Sequence, residues 1–298
     1  MSQNDPKPRW GAAQRLEFID FRLYWEGRVN RADLVSFFGI SVPQASADLA
    51  AYQAGTVGNI VYDKTAKAYV ATAGFRPAYF SPSGDRYLAE LRLLDAELLV
   101  HDDSWIARPP SHAIISPLRR RLESDTLRDI VASIRTSSSV EVRYQSFTRP
   151  EPTWRRLTPH ALAFDGLRWH IRAWCHDHQQ FRDFVIGRIL QVREPRPDSI
   201  DPSTDLGWVT EITLQIGPHP KLQEGAKSVT ELDYGMKDGV VEVTTRACLV
   251  PYLRKRLGLE KDVEVVSPQE QHIVLLNRTD VENALKGCGI SFGVQQSG

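Results

Sequence analysis

Apolar and polar positions alternate in three different rhythms along this chain, and the first rhythm is helical. Leu16, Ile19 and Leu23 repeat at helical spacing, as do Leu34, Val35 and Phe38 farther on. Gly39 then breaks the second helix and Ser41 opens a third, whose buried stripe is Ala45, Leu49 and Tyr52. Ser41 and Gln44 stand at capping-box spacing. Beyond Gly55 and Gly58, Ile60-Val61-Tyr62 and Ala68-Tyr69-Val70 read as two strands around a turn at Asp63-Lys64-Thr65. Two helices about a glycine turn followed by a small polar hairpin outline a winged helix-turn-helix over residues 10–74, so the first partner this pattern implies is double-stranded DNA.

The helical wheel makes that expectation specific. With Ala45, Leu49 and Tyr52 inward, Pro43, Ala47 and Ala50 face outward, with Gln44 and Ser46 at the flanks. A face this bare can approach a major groove closely, alanine touching thymine methyls while Gln44 or Ser46 reaches an adenine or a phosphate. A Gln44 engaged in the cap with Ser41 is the competing expectation. The candidate DNA contacts are therefore Ser41, Pro43, Gln44, Ser46 and Ala47, with Lys64 and Lys67 at the tip of the wing.

Residues 75–135 read as a helical connector. Ser83 or Asp85 starts a helix through Tyr87, Leu88, Leu91 and Leu94, and Leu118, Leu122, Leu127, Ile130 and Ile134 supply further apolar helical positions beyond Pro109-Pro110. The connector helices and the C-terminal α+β module are where a homodimer interface is expected, with exposed apolar residues between Leu118 and Ile134 the first place to look. The rhythm then becomes strand-like over 136–196: Val140 to Tyr144, Leu157 to Phe164, Trp169 to Trp174, and Phe181 to Leu190. Turns at Asp165-Gly166 and near Asp177 suggest a small antiparallel barrel. Pro195, Pro197 and Pro202 mark a linker. After it, strands at Trp208 to Ile216 and Val240 to Leu249, helices near Leu222 to Leu232 and Tyr252 to Leu257, and two last strands make an α+β module over 205–298.

Charge changes the picture of one unit only. The net charge is zero, but residues 143–196 hold ten cations against five acids. All ten are arginine, whose planar fork matches phosphate bidentately. The length of 298 residues suggests about two domains. The polar first eight residues and the absence of a long apolar run are expected of a cytoplasmic protein without a membrane span. Cys175, Cys248 and Cys288 are scattered and odd in number, as reduced core thiols are. Cys175, His176 and His178 invite a metal reading, but no second ligand cluster completes a set, so no metal or cofactor is expected. No Gly-rich phosphate loop, Gly-x-Ser-x-Gly elbow or His-Glu-x-x-His helix occurs, which points away from an enzyme.

The arginine-rich unit also carries a resemblance. Val142-Arg143-Tyr144-Gln145-Ser146, Leu157-Thr158-Pro159-His160-Ala161-Leu162, Arg168 to Cys175, and Arg182-Asp183-Phe184-Val185-Ile186-Gly187-Arg188-Ile189 resemble the successive strands of a WYL domain. The tripeptide that names that family is here Trp169-His170-Ile171. The order of units resembles WYL-domain transcriptional regulators with a winged helix-turn-helix in front and a WCX extension behind, of the kind that control phage-defence systems such as BREX and CBASS. The resemblance implies a multidomain α+β protein with an Sm-like barrel, and a homodimeric repressor of a palindromic operator; a nucleic-acid-processing enzyme or defence effector with a WYL sensor domain is the alternative. It also implies a barrel site for a nucleotide or single-stranded nucleic acid, formed by Tyr144, Ser146, His160, Arg182 and Arg188. On a single strand with period-2 alternation, Arg182 and Arg188 would share one face and grip adjacent phosphates.

Overall fold

The computed structural model describes residues 11–115 and 121–292, which fall into two compact units dividing at residues 116 and 117. The first begins with α1 (Ala12–Glu26), which buries Phe18, Ile19, Phe21 and Leu23 and ends at Gly27 in the left-handed conformation. A two-residue strand β1 (Arg28–Val29) follows, too short to leave a periodic trace in the sequence. Helix α2 (Arg31–Phe38) opens with a reciprocal capping box between Asn30 and Asp33 and closes at Gly39, φ 64°. Helix α3 (Val42–Gly55) then departs at a bend of 119°. The wing is β2 (Ile60–Asp63) paired antiparallel with β3 (Ala68–Ala71), and β1 adds to the far side of β3. Phe18, Ile19, Leu34, Phe38, Ala45, Leu49 and Tyr52 form one core.

Helix α4 (Gly84–Asp95), capped by Ser83 as expected, lies in this same unit. Its Leu91 packs with Phe21 and Ile106, and Tyr87 stacks on Trp25 at 4.4 Å. The segment before it is tied down by a fully buried carboxylate. Asp20 accepts the backbone N–H groups of Ala78 and Tyr79 at 2.5 Å and of Phe80 at 3.3 Å, and also takes the Tyr52 hydroxyl.

The second unit starts with α5 (Ser124–Arg135). Its Ile130 is fully buried beside Val140, Val142 and Leu157, with Leu127 and Ile134 packed against the same core. Leu127, Ile130 and Ile134, from the stretch where a dimer interface was first expected, are thus spent inside the chain; Leu122, before the helix, is exposed, and Leu118 lies outside the described residues. Five antiparallel strands follow: β4 (Ser138–Tyr144), β5 (Thr153–Phe164), β6 (Trp169–Cys175), β7 (Gln180–Val185) and β8 (Ile189–Pro197), in the order β7-β6-β5-β4-β8. Bulges between Pro159 and Ala161 and along β4–β8 bend the sheet. The strand expected from Phe181 to Leu190 is broken by a 3-10 turn at Ile186–Arg188. A Cβ on Gly187 would stand 2.7 Å from the Arg121 carbonyl oxygen, so the close approach of that backbone leaves room only for glycine in this turn.

A short helix α6 (Leu206–Val209) leads into a three-stranded sheet ordered β10-β9-β11, built from β9 (Glu211–Pro218), β10 (Val241–Arg246) and β11 (Ile273–Leu275). Helices α7 (Glu224–Asp233), α8 (Val250–Arg256) and α9 (Arg278–Gly287) accompany it. Trp208 and Val209, expected in the first strand, are helical. Among the described residues one strand, β11, ends the module where two were expected, and it is followed by α9, which buries Val281 and Leu285 in the module's core. Among the described residues no single helix is long and apolar enough to cross a membrane.

Candidate nucleic-acid interface and effector site

The first site is the exposed face of α3. Ser41 caps the helix, its Oγ accepting from the Gln44 backbone N–H at 3.3 Å. The capping box stops there, because the Gln44 side chain turns along the helix and donates Nε2 to Asp48 Oδ1 at 3.0 Å. Asp48 in turn takes a two-point contact from Arg15 of α1, Nε at 2.6 Å and Nη2 at 3.1 Å. Ser46 returns its hydroxyl proton to the Val42 carbonyl at 3.0 Å, leaving only lone pairs outward. Pro43, Ala47 and Ala50 are exposed while Ala45, Leu49 and Tyr52 are fully buried, as the wheel requires.

In the wing, Asp63 holds the turn by accepting from the N–H groups of Thr65 and Ala66 at 2.7 and 3.0 Å. Lys64 and Lys67 are exposed there. Lys67 also lines an open cleft of about 390 Å³ with Asn30, Arg31, Ala32, Val35 and Val42, which brings the first turns of α2 and α3 beside the wing. Arg31 is a cation of this surface that the sequence reading passed over.

The second site lies at one end of the five-stranded sheet. Of the ten arginines in 143–196, five meet carboxylates: Arg156 with Glu141 and Glu194, Arg168 with Asp165, Arg172 with Asp183 and Asp205, Arg193 with Glu141, and Arg196 with Glu194. Arg143, Arg149, Arg155, Arg182 and Arg188 have no carboxylate partner among the described residues. Except for outward-facing Arg143, these lie where β4 ends, β5 and β7 begin and β8 starts. His178 records their proximity. Burial and then the charges of Arg182, Arg155 and Arg149 lower its pKa, with Asp177 opposing.

Arg155 is the residue that sequence reasoning missed. It is 5% exposed, its Nη1 has no hydrogen-bond partner, and its guanidinium lies over the rings of Tyr144 at 5.5 Å and Phe184 at 5.9 Å. The Arg155-Arg156 pair gives no hint which member points inward. Pairing of Arg155 with Val142, a core residue, decides it. Arg188 also has a buried Nη1 without a partner, and its guanidinium stacks 5.6 Å over Phe147, which is 82% exposed. Arg182 is braced by the Gln180 amide, whose oxygen accepts from Nε at 2.9 Å and from Nη2 at 3.2 Å.

The other sequence candidates take different places. Arg182 sits on β7 and Arg188 in the 3-10 turn, so they are not neighbours on one strand face. The Tyr144 ring is fully buried in the core and its hydroxyl accepts the Val185 N–H at 3.2 Å, so it offers no stacking face. Ser146 spends its oxygen on the N–H groups of Thr148 and Arg149, both at 3.2 Å, and thereby shapes the loop that carries Phe147 and Arg149. His160 faces the opposite side of the sheet. Its Nε2 lies 3.0 Å from Asp205 Oδ2, while Arg172 grips the same carboxylate at 2.7 and 2.8 Å. Burial pushes the Asp205 carboxyl up, but the hydrogen bonds from Arg172 and His160 outweigh it and hold the pKa at about 2. Asp183 extends the network to the Tyr252 hydroxyl at 3.1 Å, which joins the five-stranded sheet to α8.

Two groupings of reactive residue types do not assemble a reaction centre. His178 Nδ1 meets Cys175 Sγ at 3.2 Å while His176 turns to Asp198 and Thr158, so the three do not converge on one point. Thr158, His176 and Asp198 contact one another, but Thr158 and Asp198 both meet the same His176 nitrogen, Nε2, and Thr158 Oγ1 donates directly to Asp198 Oδ2 at 2.5 Å. A proton relay uses both ring nitrogens.

Comparison with known proteins agrees with this architecture. The chain matches the models for the BrxR transcriptional regulator winged helix-turn-helix domain over residues 11–93, the WYL domain over 125–194, and the BrxR transcriptional regulator C-terminal dimerization domain over 211–281. It is 42% identical to the DNA-binding transcriptional repressor CapW of Stenotrophomonas maltophilia, covering 96% of each chain. It is 38% identical to CapW of Escherichia coli (strain KTE188) and 37% to CapW of Pseudomonas aeruginosa, covering 93% of each chain in both comparisons. With that identity over almost its whole length, the chain, which carries winged helix-turn-helix, WYL and dimerization domains in that order, belongs to the CapW family of DNA-binding transcriptional repressors.

Proposed function

We propose that this protein is a homodimeric repressor of a phage-defence operon, and that it binds a palindromic operator through α3 and its wing. The observation that carries this reading is the bare outward face of α3, with Pro43, Ala47 and Ala50 exposed above a fully buried stripe. Residues 1–74 carry eight cations against seven acids, so a single winged helix gains little from phosphate attraction. Two copies on half-sites about one helical turn apart supply the missing affinity. The match of residues 211–281 to a dimerization domain supports the pairing.

The unpartnered arginines are the effector site in this reading. A buried guanidinium without a counter-ion costs stability in the free protein, and an anion that fills the site removes that cost. Arg155 and Arg182 take phosphate oxygens, Arg188 and exposed Phe147 offer a stacked platform for a base, and Arg149 closes the rim. The ligand class is a nucleotide or a short single-stranded nucleic acid. Its occupancy changes operator affinity only as far as it binds the DNA-competent and incompetent forms differently, a coupling of typically about 1–3 kcal/mol.

Mobility shift on the duplex upstream of the protein's own operon tests the first half. A shift without a change in the DNA, lost with Ala47→Glu, supports repression; cleavage or other turnover of the probe overturns it. Titration with ATP and with an oligothymidylate, followed by thermal melting and repeated mobility shift, tests the second half. No stabilisation by either probe removes the effector site from the account.

A further inference from the structure

Gln44 is exposed on the recognition helix, yet its amide is held. Asp48 Oδ1, to which Nε2 donates, belongs to a carboxylate, and a carboxylate only accepts. The nitrogen must therefore face Asp48, and the amide cannot turn over without setting its oxygen against a negative charge. The carboxylate itself is fixed by the two-point contact from Arg15, with the two side chains 7% and 11% exposed. What remains outward is the Gln44 carbonyl oxygen and one N–H, and no other hydrogen bond holds that oxygen among the described residues.

That pair of groups matches one base edge. Adenine offers N6–H as donor and N7 as acceptor in the major groove, whereas guanine offers two acceptors, O6 and N7. An amide free to rotate tolerates several partners; one whose nitrogen is pinned presents its acceptor to a guanine acceptor and is repelled. We propose that Arg15 and Asp48 are positioning residues for sequence readout: through the ion pair between α1 and α3 they lock Gln44 in the orientation that selects adenine at one position of each operator half-site. This rests on α3 being the helix that enters the major groove.

The test uses the full-length protein and a duplex selected by it from a random pool. Affinity is then measured for every single base-pair substitution within the half-site. For the wild type, one position discriminates A·T from G·C by roughly 5- to 150-fold, the range of a bidentate base contact. Replacing that adenine by 7-deazaadenine weakens wild-type binding, since N7 is removed. Gln44→Met, close in shape and exposed, loses the preference at that position and becomes indifferent to 7-deazaadenine. Asp48→Asn, which can present either an oxygen or an amide nitrogen to Gln44, flattens the preference at the same position and leaves the other positions as they were. Arg15→Lys, which keeps the charge without the fork, flattens it in the same way and serves if Asp48→Asn fails to fold.

A Gln44→Met profile identical to the wild type would overturn the proposal by showing that Gln44 reads no base. If Gln44→Met alters the profile but Asp48→Asn and Arg15→Lys do not, the locking role fails while DNA binding through α3 stands. Uniform weakening at every position in both positioning variants likewise overturns it, because that is the signature of a merely structural ion pair. Failure of the wild type to select any duplex would instead remove the premise that α3 enters DNA.

Discussion

Replacing Arg155 by methionine is expected to stabilise the free protein while abolishing its response to a phosphate-bearing ligand. Arg155 is 5% exposed and its Nη1 lacks a partner, which costs about 1–3 kcal/mol in a buried group. The guanidinium recovers part of this by lying over Tyr144 and Phe184, worth about 0.5–2 kcal/mol. Methionine keeps most of the volume and the aromatic contacts, and it removes repulsion from neighbouring Arg149 and Arg182. The balance is a gain of about 1 kcal/mol, or roughly 2–4 °C in the melting temperature of the second unit. In the wild type, a nucleotide at a hundred times its Kd adds about 2.7 kcal/mol. The variant should show none of that increment. Scanning calorimetry with and without ATP or an oligothymidylate reads both effects. A variant destabilised by more than about 1 kcal/mol, with the ligand increment intact, would show that Arg155 is an ordinary core residue and refute the reasoning.

Three further outcomes are expected. Ala47→Glu should abolish operator binding in a mobility shift without changing the circular dichroism spectrum, because its carboxylate would meet phosphate at close range; unchanged affinity would remove α3 from the groove. Asp205→Asn should destabilise the second unit by about 3 kcal/mol, the low end for breaking a buried ion pair, since Arg172 keeps Asp183; denaturant unfolding measures it, and a loss below about 1 kcal/mol would contradict the network. Acid should act through the same carboxylates. Asp205 and Asp165 are held at about 2, against an ordinary value of 3.8. Their stabilisation is complete above the ordinary value and is lost as pH falls from about 4 to about 2. Melting temperature should drop in that window, less steeply for Asp205→Asn, and an identical slope in the variant would count against it.

Local chemistry made the winged helix readable and tertiary chemistry hid the rest. Gly39 in the left-handed conformation, Ser41 as cap and the Ala45-Leu49-Tyr52 stripe are one-dimensional signals, and each element they imply is present. Helix α4 looked like part of a connector because its packing partners, Trp25 and Phe21, lie some sixty residues earlier in the chain, where no periodicity links them. The break between β7 and β8 left a single mark, Gly187 inside an apolar run, and what requires a glycine there is backbone from another segment. For the proposed effector site, composition revealed the arginine excess but not which arginines are neutralised. Strand register sorts them, turning Arg155 inward and Arg156 toward Glu141, and sequence spacing carries no register. His160 read equally well as a ligand contact or a core residue because its partner, Asp205, lies 45 residues away.

The central claim is that two copies of this chain bind one duplex through their α3 helices. Sedimentation of the purified protein with the fluorescent duplex from upstream of its own operon tests it most directly, because mass and occupancy are read together. The account requires a dimer at micromolar concentration, one dimer per full palindrome, much weaker binding to an isolated half-site, and no complex with Ala47→Glu. A monomer that binds the half-site as tightly as the palindrome, or an Ala47→Glu variant that still sediments with the duplex, would contradict it.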